Sequence, residues 1–179
     1  MTRYGSKADK LVYLTLALLL IAVAVLALLN RGERALRRAL EENREFRICV
    51  DGAPSATVGL QVLLDLGPQE FTTSLATSIA SPRDTTLRGV ELRLLLESLE
   101  IDATMFSAII VSGLDGYYSP LSREEVESEG AIYICFSMDG EILKTQSEGG
   151  YGPFMMVIRG SRFAQRWCKY VEAVEIVGL

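Results

Sequence analysis

Nineteen consecutive residues without a charge, Leu11–Leu29 in "LVYLTLALLLIAVAVLALL", restrict this chain more than any other feature. At about 1.5 Å of rise per residue, such a helix is roughly 28 Å long, close to the hydrocarbon thickness of a bilayer. A helix satisfies its backbone groups internally, so it can cross lipid. The run predicts an uncleaved transmembrane anchor over residues 11–30. A cleaved signal peptide is the competing reading, because Arg3, Lys7 and Lys10 form a basic leader and "VLA" at Val25–Ala27 suits a signal peptidase. Signal-peptide apolar regions are shorter, about 7–15 residues. A buried core helix is the third reading.

Orientation is less constrained than the span. Arg3, Lys7 and Lys10 precede the run, and Arg31, Arg34, Arg37 and Arg38 follow it. The positive-inside rule therefore gives no clear vote. A short tail (residues 1–10) ahead of a long apolar segment and a folded domain has the form of a signal anchor. The expectation is a single-pass cell-membrane protein with its domain outside the cytoplasm.

Beyond the anchor, residues 31–45 read as a helical stalk. Glu33–Arg37 and Arg37–Glu41 attract at i,i+4, while Arg34–Arg38 repel. Residues 31–47 hold 6 Arg against 4 Glu, whereas residues 48–179 hold 9 Lys and Arg against 18 Asp and Glu. An acidic domain excludes nucleic acid as a partner, since phosphate contacts need a basic surface. The basic juxtamembrane piece could rest on anionic headgroups, or simply be a solvated helix.

The 179 residues include no histidine. That removes His-based acid–base chemistry, the Ser-His-Asp arrangement and most zinc sites. Cys49, Cys135 and Cys168 are widely spaced and form no CxxC. Cys49 and Cys135 sit in apolar alternating runs, where buried free thiols are the default. A single disulfide stays open for an exported domain.

From residue 46 the pattern predicts short strands and helices without a βαβ period, hence α+β. "FRICVDG" is a strand running into an Asp51-Gly52 turn, and "SATVGLQVLLDLG" a short helix. "EFTTSLATSI" is a strand. "TTLRGVELRLLLESLEI" starts extended, breaks at Gly89 and becomes helical. "FSAIIVSG" and "AIYICFS" read as buried central strands. "SREE" at Ser122–Glu125 is a capping box. "MDGEIL" is a hairpin turn, "FMMVI" and "VEAVEIV" are strands, and "RFAQRWCKYV" is a turn or helix.

The order of "TTLRGVELRLLLESLEI", "IIVSGLDGYYSPLSREEV", "SMDGEIL", "GGYGPFMMVIRG" and "FAQRWCKYVEAVEI" resembles the oxidoreductase molybdopterin-binding domain, the sulfite-oxidase-type fold, over residues 46–179. The resemblance implies that Gly149, Gly150, Tyr151 and Gly152 wall a pyranopterin pocket. Arg166 and Lys169 would be its cations, with Arg159 and Arg162 nearby. Glycines let backbone N–H groups approach an anion, and basic side chains compensate its charge. The plainer reading is a tight turn into a core strand beside solvated basic residues.

One departure is decisive. Catalytic members of that family hold molybdenum through a cysteine lying before the Gly-Val helix, and "EFTTSLATSIASPRDTTLRGV" contains none. A hydroxyl does not replace a soft thiolate without changing the metal's chemistry. The expectation is therefore a degenerate domain without cofactor, a binding or accessory module beside a membrane redox partner. The alternative is an active, molybdopterin-dependent oxidoreductase with atypical ligands, sought first at Cys49, Thr73, Ser74 and Ser78.

Overall fold

The structure, a computed structural model, describes residues 7–75, 83–102, 106–160 and 164–178. Helix α1 (Lys7–Asn43) carries the apolar run without interruption. It is long and apolar enough to cross a membrane, and its apolar window is not buried in protein. The chain divides into two compact units after Ala39. The second begins at Leu40, a buried residue in the last turn of α1.

The second unit is an α+β domain of two five-stranded sheets. The first has the order β2 (Ala53–Gly59), β1 (Glu45–Val50), β10 (Val171–Gly178), β5 (Phe106–Gly113), β6 (Tyr118–Ser122). Its one parallel pairing joins β1 to β10, with Cys49 opposite Glu175. In the second sheet β3 (Gln69–Leu75), β4 (Arg83–Glu91) and β7 (Ile132–Met138) run side by side. Strands β8 (Glu141–Ile142) and β9 (Met155–Ile158) both pair with β7, at its end and its start respectively. Short helices α2 (Leu60–Asp65), α3 (Leu92–Ser98) and α4 (Arg123–Glu127) join the strands.

Local chemistry accounts for most boundaries. Asp51-Gly52 and Asp139-Gly140 each have two positive φ angles, 49° and 78°, then 52° and 83°. That is the type I′ geometry whose twist matches a hairpin. The expected capping box is formed: Glu125 N–H donates to Ser122 Oγ, and Ser122 N–H donates to the Glu125 carboxylate. Strand β7 is buried along nearly its whole length, because β4 flanks it on one edge and β8 and β9 on the other. Phe46 meets Phe154 edge-on at 5.1 Å, and Phe71 lies 4.5 Å from Tyr133.

Three expectations are corrected, and one strand is added to them. Ser55–Gly59 is strand rather than helix, because β1 offers it a ladder, and only Leu60–Asp65 is helical. Gly89 does not break β4. It sits at a bulge, where a Cβ would meet Ile134 O at 2.5 Å and Cys135 Cα at 2.7 Å. Strand β5 lies between β10 and β6, yet its burial alternates: Ile109 and Val111 face the core, whereas Ala108 and Ile110 do not. Finally, Tyr118–Ser122 forms an edge strand that its Pro120 concealed, since proline is tolerated only at sheet edges. All three cysteines are buried free thiols.

Candidate functional site

The glycine segment closes a loop that starts at Leu143, just after β8, and ends in a cis Gly152–Pro153 peptide ahead of β9. The loop folds back on itself. Gly149 N–H donates to Gln146 O (3.0 Å), Gly150 N–H to Thr145 O (2.9 Å) and Gly152 N–H to Lys144 O (2.7 Å). A Cβ on Gly150 would collide with the backbone and Cβ of Lys144, and one on Gly152 would stand 2.6 Å from Leu143 Cβ. The glycines thus permit close approach of the loop to itself. The N–H groups of Gly149, Gly150 and Gly152 all donate inside it.

Two carboxylates brace the loop. Glu148 accepts from Thr145 N–H (2.8 Å) and from the Thr145 hydroxyl (3.0 Å). Glu41, in the last turn of α1, accepts from Ser147 N–H at 2.9 Å. Arg44 donates to Leu143 O at 3.1 Å and reaches Glu148 at 3.4 Å. The Thr145 backbone and hydroxyl donors, with Arg44 beside them, hold the Glu148 carboxyl below the usual carboxylate range. Because folding depresses this pKa, its contribution is complete above the unfolded carboxylate pKa and is lost as pH falls through the folded value. Amide protection at Thr145, relative to the intrinsic exchange rate, is therefore expected to fall on acidification, and Glu148→Gln to remove both the protection and its pH dependence. An unchanged acid response in the Gln variant would show that another group braces the loop.

Against this loop lies an open cleft of about 350 Å³. It is lined by Gly150, Tyr151, Leu143 and Lys144 of the loop together with Arg83, Met138, Asp139, Glu141 and Ile142. Its charges balance: Arg83 pairs with Asp139 at 3.2 Å, leaving Glu141 and Lys144. Sequence reasoning read "MDGEIL" only as a turn and missed Asp139 and Glu141. The signal available was two acids around an Asp-Gly turn, a few residues before the glycine cluster.

The structure brings Tyr151 and Lys169 together and sets Arg166 apart. Lys169 Nζ lies 4.0 Å from the Tyr151 ring centroid, a cation–π contact. Tyr170 N–H donates to Tyr151 O, which fastens the two segments. Arg166 instead forms a two-pronged pair with Glu125 (2.6 and 3.0 Å) and donates to Pro120 O (2.9 Å). That pair holds the Glu125 carboxyl low. Arg166 fastens the Ala164–Arg166 turn to the start of α4 and is not a vacant cation. Arg159 lies over the Phe71 ring at 5.4 Å. Arg162 and Ser78 lie outside the described residues.

The residues present do not fit a thiolate-held molybdenum. None of the cysteines lines the cleft. Burial raises the Cys135 thiol pKa and pushes Cys168 up to about 12, with Asp115 adding to the latter. Burial, then Glu175, raises Cys49. A ligating thiol must be a thiolate, and these environments oppose it. Among the described residues, no three His, Cys, Asp or Glu side chains converge on a metal position.

No protein-family model matches the chain, and no curated protein does. Among solved structures it is similar to the sulfane dehydrogenase SoxCD from Paracoccus pantotrophus, with a TM-score of 0.58 and 18% identity. The match covers 74% of this chain and 38% of that one, so the chain spans under two fifths of its neighbour's length. At such identity the likeness speaks for the fold alone, and it supports a sulfite-oxidase-like one.

Proposed function

We propose that this is a membrane-anchored, single-pass protein whose extracytoplasmic domain works as a binding or accessory module of a membrane redox system, without a molybdenum centre of its own. The observation that carries the reading is the cleft beside Gly150 and Tyr151, which no cysteine side chain enters. A sulfite-oxidase-like frame whose concave site holds no thiolate keeps room to bind but lacks the ligand that would fix the metal. The exposed apolar stretch of α1 supports the anchor. The neighbour's name, a sulfane dehydrogenase, favours a redox setting. The alternative, an active pterin-dependent oxidoreductase, would need hydroxyl ligands such as Thr73 or Ser74.

A photo-reactive amino acid at Ile142, an exposed residue on the cleft rim, tests the role in cells. The expected product is a covalent adduct with a cofactor-bearing membrane redox protein, absent when the probe is moved to Val62 on α2. Equal labelling from both positions, or none, would contradict the proposal.

A further inference from the structure

We propose that Arg31, Arg34 and Arg38 form a binding belt for anionic phospholipid headgroups where the chain leaves the bilayer. This rests on the anchored reading above and names what the end of the anchor binds. Helix α1 continues unbroken from the apolar run through all three residues. At 3.6 residues per turn they fall within an arc of about 60°, and the rise sets them about 3, 7 and 13 Å beyond Leu29. Those heights cover the headgroup layer and about one Debye length of the water above it.

Their electrostatic situation differs from that of the described arginines of the domain. In the domain Arg83, Arg93 and Arg166 are each matched to a carboxylate, and Arg88 and Arg159 lie over aromatic rings. Arg31, Arg34 and Arg38 are exposed, and among the described residues none has an ion-pair partner. Arg34 and Arg38 stand four residues apart, so they repel each other along the helix. Glu33 points well away from this arc; Glu41 and Glu42 flank it one turn beyond Arg38, but neither pairs with Arg38 among the described residues, and Glu41 accepts from Ser147 N–H instead. Three unmatched cations on one face, just past an apolar span, suit the phosphates of an anionic lipid surface. Each basic side chain near such a surface favours association about fivefold. The domain itself carries twice as many acids as bases over residues 48–179, so it offers no net attraction to an anionic leaflet and the basic residues flanking the apolar run must supply it.

The full chain, reconstituted in phosphatidylcholine vesicles, tests this through the electron spin resonance of spin-labelled phosphatidylglycerol and spin-labelled phosphatidylcholine. The expected result is a several-fold preference of the protein for phosphatidylglycerol. It should fall to near parity in Arg31→Gln/Arg34→Gln/Arg38→Gln, persist in the triple Lys variant, and shrink in about 1 M salt. Parity in the unaltered chain, or a preference unchanged by the Gln substitutions, would overturn the belt. So would loss of a cross-linked acidic partner from the Gln variant with lipid selectivity intact, which would reassign the arginines to a protein surface. Release of the chain from membranes by alkaline carbonate would overturn the anchored reading and the belt together, whereas retention with lipid parity sinks the belt alone.

Discussion

Gly89→Ala is expected to destabilise the domain by about 3 kcal/mol, a large effect for one added methyl group. The methyl would enter the backbone of β7, with Ile134 O at 2.5 Å and Cys135 Cα at 2.7 Å. Backbone atoms in a strand paired on both edges have no rotamer by which to yield, so β4 and β7 must separate or the bulge must move. Denaturant titration followed by Trp167, a buried indole that donates to Ile158 O, reads the loss. Gly116→Ala is the control. Its φ is +83° with open space around it, and it should cost only about 1 kcal/mol, through backbone strain. Equal stability of Gly89→Ala and the parent chain would show that the bulge is not tightly packed.

Gly150→Val is the second large effect, expected at about 3 kcal/mol together with release of the loop. The added side chain would collide with Lys144, whose carbonyl accepts the Gly152 N–H. Losing that contact frees the Leu143 side of the cleft. Rapid amide exchange at Gly149 and Gly152 should accompany the drop in stability. A Val variant as stable as the parent would mean that the loop moves aside without cost, and that the glycine serves something other than self-packing.

These two glycines show what a sequence exposes and what it conceals. Patterning identified the long apolar N-terminal helix, β1, β7, β10, the capping box at Ser122 and the Asp-Gly hairpins, because each depends on neighbours in sequence. Ser55–Gly59 has the composition of a weak helix and became strand only because β1 offers it a ladder. Gly89 reads as a break, and its true role depends on a strand more than forty residues away. At the site, Lys169 lies over the Tyr151 ring, a contact that no spacing in the sequence announces. The diversion of Arg166 to Glu125 was not legible, since the two lie 41 residues apart and only the fold brings them together. Likewise, nothing local announces that Gly149, Gly150 and Gly152 donate their N–H groups within the loop.

The absence of a cysteine between β3 and β4, and the burial of the three that exist, carry the proposal that this domain, sulfite-oxidase-like in fold, holds no molybdenum. The most direct measurement is the molybdenum and pterin content of the full chain, purified from the membranes of a host that makes molybdenum cofactor. The account predicts trace metal and no retained pterin in correctly folded protein. Stoichiometric molybdenum with its pterin would contradict it and would assign the cleft, or a hydroxyl such as Thr73 or Ser74, to a working metal centre.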